Sequence, residues 1–313
     1  LFAGASRTRL TSLCAIDAAG PDAREFLHGQ LSSDVKALAV GSAQYASYNS
    51  PKGRMLATLV VWRQDDERIV LVVADDLAAT IARRLGMFVL RAKVSLAPSP
   101  RSRQGVLGSD ADTAVASGFG VAAAVAAWHD VRKGGTLALR LPDGRYVLDT
   151  ASTLPAAIES LPESDESSWQ WCGIRAGVPV VTAATSDKLI AQGANWELVG
   201  GIDFNKGCYP GQEIVARMQY LGRLKERLYA FHADADAQRL LAGTEIRAAE
   251  SPDAPAAGIV VNAERSPEGG SDLLAVVSID AAGSEAPRVG DAALSPRTLP
   301  YGVPVIANQR VRL

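Results

Sequence analysis

The residue best placed for chemistry is a cysteine set among glycines just ahead of a helical spacing pattern, in Lys206-Gly207-Cys208-Tyr209-Pro210-Gly211-Gln212-Glu213. Unpaired N–H groups at a helix start and the helix dipole attract negative charge, which suits a thiolate, and Lys206 adds a cation two residues away. Gly207 and Gly211 permit backbone conformations or close approaches that a side chain would block. Glu213 falls in the first helical turn, where an acid is favoured. A free cysteine is also a common small filler of cores, so the segment reads as well as a tight structural loop.

Arg217, Arg223, Lys225 and Arg227 follow, with Glu226 as the one acid among them. They form either a compact site for a carboxylate or phosphate beside the cysteine, or a solvated helix face running into a strand. Trp169 and Trp171 stand before this region. An indole stacks on a flat heteroaromatic ring while an amide such as Gln192 reads the ring's hydrogen-bonding edge, a pairing suited to a pterin; either indole serves equally as core. His28, His129 and His232 lie in different segments, so no histidine metal site is expected. Cys14, Cys172 and Cys208 are odd in number and lack CxxC spacing, against a disulfide framework or a structural zinc. Asp65-Asp66-Glu67 and Asp75-Asp76 read as a solvated turn and a helix cap. No P-loop, strand-coupled GxGxxG, GxSxG elbow or HExxH helix occurs, which disfavours nucleotide hydrolysis, Rossmann cofactor binding and serine-hydrolase chemistry.

The elements that must hold these residues follow from length and pattern. At 313 residues, 48% hydrophobic and 21% charged, the chain is expected to fold as two or three packed units. A formal net charge of -2 supplies no field for nucleic acid or an anionic membrane. The longest apolar runs are strand-length, far below the roughly 20 residues of a membrane span. The cysteine usage and the absence of a basic-then-apolar start, in a chain that begins at Leu1, point to a reducing cytoplasm.

Ala23, Phe26, Leu27 and Leu31 share one helix face after Pro21. Residues 43–49, 55–62 and 68–73 read as an antiparallel meander joined by Ser50-Pro51-Lys52-Gly53 and Gln64-Asp65-Asp66-Glu67. Leu77, Ile81, Leu85 and Phe88 mark a second helix, and 93–97 returns as a strand. Pro142-Asp143-Gly144 turns a hairpin between 136–141 and 145–149, and 154–161 reads as helix. The Ala-rich run 121–127 suits a helix or a buried strand. A short helix spans 169–176, another 212–220. Runs at 244–247, 258–262 and 273–279 predict a small β-barrel or sandwich.

The Lys206–Glu213 segment, continuing to Ala216-Arg217, resembles the K-G-C-Y-x-G-Q-E signature of the YgfZ family. Phe26-Leu27-His28-Gly29-Gln30-Leu31, Ser33-Asp34-Val35, Pro51-Lys52-Gly53-Arg54-Met55, Trp169 to Pro179 and Gly200-Gly201-Ile202 extend the resemblance, whereas 100–165 matches in pattern only. The family is similar in fold to the T-protein of the glycine cleavage system (GcvT), a tetrahydrofolate-dependent aminomethyltransferase. The resemblance implies an α+β, GcvT/YgfZ-like arrangement of packed parts around a central folate pocket, ending in a C-terminal antiparallel β-barrel. It implies tetrahydrofolate or a folate derivative as cofactor, and iron-sulfur proteins or assembly factors as partners. It also implies a role in iron-sulfur cluster assembly or repair and, through iron-sulfur enzymes, in tRNA modification. The signature's functional thiol carries over to Cys208, and Trp169 matches a folate-associated tryptophan.

Two departures matter. The family's other folate-associated tryptophan falls near Leu13, and where the T-protein's glycine-rich turn leads to a catalytic aspartate, Gly53-Arg54-Met55 leads to Leu56-Ala57-Thr58. The expected units are 1–97 (N-terminal α+β), 98–165 (second α+β), 166–234 (central segment with the signature) and 235–313 (barrel). Trp169, Gln192, Tyr209 and Arg217 are expected to contact folate, with Cys208 as the working thiol and Lys206, Gly207, Gly211, Gln212 and Glu213 as its frame. No metal site, membrane contact or direct nucleic-acid contact is expected. A conventional enzyme is not expected either, a folate-dependent aminomethyl- or methyltransferase being the alternative.

Overall fold

A computed structural model describes residues 2–151, 153–222, 224–248, 256–282 and 287–304. The chain opens with β1 (Ser6–Arg9), β2 (Leu13–Ala19), α1 (Ala23–His28), β3 (Ser42–Asn49), β4 (Met55–Arg63), β5 (Arg68–Ala74), α2 (Asp75–Gly86) and β6 (Ser95–Pro98). Five of these strands form a sheet in the order β3-β4-β5-β2-β6. The expected meander is its centre, with Val61 opposite Leu71. The strand β5 is a continuous apolar run because both its faces are covered. Ile69, Leu71 and Val73 join the largest core with α1 and α2, while Val70 and Val72 turn to the neighbouring cluster. Each such side chain contributes about 1.5–3 kcal/mol by leaving water.

Next come β7 (Ser102–Leu107), α3 (Ala111–Phe119), β8 (Asp130–Lys133), β9 (Thr136–Arg140), β10 (Tyr146–Thr150), α4 (Ala156–Glu159) and α5 (Glu166–Arg175). Their sheet runs β1-β7-β10-β9-β8, so the N-terminal strand crosses into it, Ser6 lying opposite Leu107. The Pro142-Asp143-Gly144 hairpin forms as expected between β9 and β10. Val106, Tyr146 and Leu148 pack with Val115, Phe119 and Ile158, while Leu107 and Val147 face the first sheet and Trp169.

The remainder comprises α6 (Gln212–Tyr220), β11 (Glu226–Ala233), β12 (Glu245–Arg247), β13 (Ala256–Arg265), β14 (Ser271–Ser278), α7 (Ile279–Ala282), β15 (Arg288–Val289), β16 (Ala292–Ala293) and β17 (Ser295–Arg297). Strands β11 to β17 form an antiparallel sheet, order β16-β15-β12-β13-β14-β11-β17, that curls into a nearly closed barrel. Sheet membership therefore crosses the expected unit boundaries at β1 and at β11. The barrel's outer side joins the largest core through Leu228, Val261, Leu274 and Val276, which ties it to the N-terminal sheet.

Some local expectations differ from the structure. Residues 121–127 form neither helix nor strand. The helix expected over 154–161 is only Ala156–Glu159, because Pro155 stands at its N-cap and Pro162 stops continuation. Asp75 and Asp76 lie in the first turn of α2, with Ala74 at the cap position. Among the described residues no helix is long and apolar enough to cross a membrane.

Candidate functional site

Two segments far away in sequence, the end of α1 with the residues after it and the turn between β3 and β4, meet at the loop before α6. Lys206 is buried and donates from Nζ to the carbonyl of His28 and, at 2.6 Å, to that of Leu31. Those carbonyls lie at and just beyond the C-terminal end of α1, where a cation is favoured. The ammonium also lies 4.7 Å from the centroid of the buried Tyr209 ring. The Asp203 N–H donates to the Ser32 carbonyl at 2.9 Å, and the Ser32 hydroxyl to the Gly201 carbonyl at 2.5 Å. Lys206 and Ser32 thus pin the signature loop to the segment that follows α1.

Burial pushes the Lys206 amine down to about 8, against the opposing pull of Asp34, Asp203 and Cys208. Burial likewise pushes the Tyr209 hydroxyl up to about 12, with Asp203 adding to it. The lysine has a linkage consequence. Below about pH 8 both folded and unfolded chains hold its proton; above that, up to its ordinary value of 10.5, the unfolded chain binds more protons, so stability rises with pH. Lys206→Met removes this titration and both carbonyl hydrogen bonds, so we expect a loss of roughly 1–3 kcal/mol at neutral pH. The gap between wild type and variant should widen between about pH 8 and pH 10 in urea melts.

On its other side the loop is fixed by two glycines. Gly211 caps α6 with φ 79° and Gly53 has φ 71°, both in the left-handed region. A Cβ on Gly211 would stand 2.5 Å from the Ser50 carbonyl oxygen and 2.8 Å from the Gly53 Cα. A Cβ on Gly53 would stand 2.6 Å from Cβ of Ile214. The turn between β3 and β4 and the start of α6 therefore touch backbone to backbone. Held between this contact and the Lys206 anchor, Cys208 is exposed, whereas Cys172 is buried and Cys14 half-buried. Gln212 begins α6 and Glu213 is exposed in its first turn.

One neighbour of this loop was not singled out from sequence. The imidazole of His28 lies with Nδ1 3.1 Å from Asp34 Oδ1 and Nε2 3.5 Å from where a Cβ on Gly207 would stand. The signal for it was its place inside the Phe26–Leu31 segment, which resembles the family as the signature does.

The expected anion site does not assemble from all four cations. Arg227 is buried and donates from Nη1 to the Gln192 carbonyl at 2.7 Å, to Asn195 Oδ1 at 3.2 Å and to Glu197 Oε1 at 2.5 Å. This pairing with a half-buried acid consumes it. Arg217 and Lys225 are exposed, and Arg223 lies outside the described residues. Gln192 is buried and donates from Nε2 to the Val215 carbonyl at 2.7 Å, bracing α6 from below.

Trp169 lies elsewhere, in the wall of a central cavity of about 590 Å³ bounded by the N-terminal sheet, α5 and the barrel side. Its ring carries the Arg145 guanidinium, 4.2 Å from the centroid, so one indole face is covered. Leu13, near which the resemblance puts the family's second tryptophan, lines the same cavity with Tyr45, Thr58, Leu59 and Ile174. Of the residues after the Gly53 turn, Leu56 and Ala57 are buried in the core and Thr58 reaches the cavity, its hydroxyl accepting the Val181 N–H at 3.0 Å. Both carboxylate oxygens of Glu166 are taken by Thr11 and Ser12. A second cavity of about 670 Å³ shares Tyr45, Arg145 and Val178 with the first. Neither cavity is lined by Cys208, Tyr209, Gln192 or Arg217. The structure thus separates an outer thiol locus from a central cavity.

No family model matches the chain. It is 30% identical over 296 residues to the tRNA-modifying protein YgfZ of Yersinia pseudotuberculosis, covering 91% of this chain and 88% of the relative. The chain belongs to the YgfZ family. The YgfZ of Edwardsiella ictaluri is 29% identical over 300 residues, covering 93% of this chain and 90% of the relative. That of Serratia proteamaculans is 32% identical over 218 residues, covering 67% and 66%. In fold, this YgfZ-family chain is similar to the glycine cleavage system aminomethyltransferase T of Bartonella henselae, with a TM-score of 0.71 at 16% identity over 96% of this chain and 86% of that one. The α+β arrangement ending in an antiparallel barrel is thereby the expected one.

Proposed function

We propose that this YgfZ-family chain binds tetrahydrofolate in its central cavity and supports the assembly or repair of iron-sulfur proteins, among them enzymes that modify tRNA. In this reading Cys208 is an exchanging thiol at the surface. The observation that carries it is the placement of an exposed, glycine-framed cysteine outside the cavity, where a partner protein can reach it. One cysteine cannot hold a cluster that needs about four protein ligands, so its chemistry is exchange with a partner.

The cavity fits a folate. Its volume of about 590 Å³ lies in the range of small-molecule sites, and Leu13, Leu59, Val60, Val72 and Ile174 supply apolar walls for a flat ring. The Thr182 hydroxyl lines it, buried and without a hydrogen-bond partner. Bound tetrahydrofolate would bring one-carbon carrier chemistry. The chain's own contribution is binding and shielding: Tyr45 and Arg145 stand at the junction of the two cavities, and burial together with the nearby Asp143 keeps the Tyr45 phenol protonated. Trp169 joins through its cavity edge, with Arg145 holding it in place.

The T-protein reaction is the second reading, favoured by the fold alone. Strand β4 offers the cavity Thr58 and no carboxylate, and Glu166 is fully engaged. Without a carboxylate on β4, where the T-protein's turn leads to its catalytic aspartate, we expect turnover with tetrahydrofolate and a methylamine donor to fall at least about 100-fold below that of a T-protein. Tetrahydrofolate itself is expected to quench the tryptophan fluorescence on titration, since Trp169 lines the cavity. Quenching without turnover supports the folate-binding reading, turnover at T-protein rates supports the transferase, and no quenching at millimolar ligand means a fold kept for partner binding alone.

A further inference from the structure

The cluster beside the thiol contains groups that anchoring the loop does not require. His28 ends α1 with its side chain mostly buried, its Nδ1 3.1 Å from Asp34 Oδ1 and its Nε2 over Gly207, the residue next to Cys208. Gly207 lacks the side chain that would screen the imidazole from the loop. Lys206 fixes the same place by holding the backbone carbonyl of His28. Nδ1 is buried and meets Asp34 at ion-pair distance without hydrogen-bond geometry, so the carboxylate acts on the ring through its charge, and the imidazole is an acid–base group presented to the loop.

We propose that His28, with the charge of Asp34 against its other nitrogen, is the acid–base partner of Cys208 and exchanges the thiol's proton directly or across one water. This rests on the reading of Cys208 as an exchanging thiol. In the step, the Cys208 S–H proton passes to Nε2 and the thiolate sulfur attacks one sulfur of a partner's disulfide. The new S–S bond forms as the old one breaks, and the departing thiolate takes the proton back from the imidazolium. Electrons balance without an outside oxidant.

The electrostatics suit a neutral imidazole ready to accept. Burial and then Lys206 lower the proton affinity of His28, with Lys36 acting the same way, while Asp34 and Glu25 oppose them. These four groups face the imidazole from α1, the segment after it and the signature loop.

The test is alkylation of the folded full chain by iodoacetamide, with the Cys208 peptide quantified by mass spectrometry from about pH 5 to about pH 9. Wild type should show an inflection in the histidine range. His28→Gln should lose it and react roughly tenfold more slowly near neutrality. Asp34→Asn should keep the inflection but move it to lower pH, because the carboxylate that raises the affinity is gone. The backbone anchor from Lys206 survives both substitutions, and thermal melts verify the fold. Superimposable profiles for wild type and His28→Gln would overturn the inference. Should that variant not fold, an unshifted Asp34→Asn profile would do so. A Cys208→Ala chain fully active in cells, beside an intact His28-dependent profile, would remove the functional reading and leave the acid–base pair standing.

Discussion

Cys208→Ala is expected to abolish the chain's support of iron-sulfur enzymes in cells while leaving its stability within about 0.5 kcal/mol of wild type. The stability half follows from exposure: the thiol fills no core, and the loop is held by Lys206, Ser32 and the glycine contact, none of which uses the Cys208 side chain. The functional half follows from the thiol's unique position. Cys172 is buried and Cys14 half-buried, and burial raises the affinity of both for their protons, so neither can substitute as a reactive thiolate. The check pairs a urea melt with the activity of an iron-sulfur tRNA-modifying enzyme in cells that depend on this chain. Full activity of the variant would remove the thiol from the account.

Gly211→Ala is expected to cost roughly 2–4 kcal/mol, from a left-handed residue forced onto a side chain and a backbone overlap that must be relieved. The overlap cannot be relieved by a rotamer change, because the atoms met are the Ser50 carbonyl oxygen and the Gly53 backbone. The start of α6 would have to move away from the turn between β3 and β4, carrying Cys208 with it, so activity should fall alongside stability. Gly207→Ala is the control. A Cβ there meets only His28 Nε2 at 3.5 Å, an ordinary contact, so the change should stay within about 1 kcal/mol. Urea midpoints for the two variants decide the matter, and equal midpoints would show that the glycine contact does not set the loop.

Much of the fold was legible because local pattern and tertiary use agree. The strands β4 and β5 are largely apolar runs, β3, β4 and β5 are joined by strong turns, and α6 was readable residue for residue from Gln212 to Tyr220. What failed depends on distant partners. Arg227 looked like one of four cations in a row, but in β11 it turns inward to Glu197, which sits thirty residues earlier on a loop with no period to betray the pairing. Gln192 looked like an amide free to read a ring, but the Val215 carbonyl claims it. Trp169 does reach the cavity, but Arg145, distant in sequence, covers one of its faces.

The grouping of the site was harder still to read. Trp169, Gln192, Tyr209 and Arg217 were expected about one ligand, yet of these four only Trp169 lines the cavity. His28 was passed over because isolated histidines are common and its partners come from other segments. Its spacing to Cys208 along the chain carries no hint of the contact with Gly207.

The separation of thiol and cavity is the central claim, and calorimetric titration of tetrahydrofolate into wild type and Cys208→Ala tests it most directly. The account predicts the same affinity and heat for both chains, because the ligand and the thiol do not share a site. Absence of binding to wild type at millimolar ligand, or loss of binding in Cys208→Ala, would contradict it.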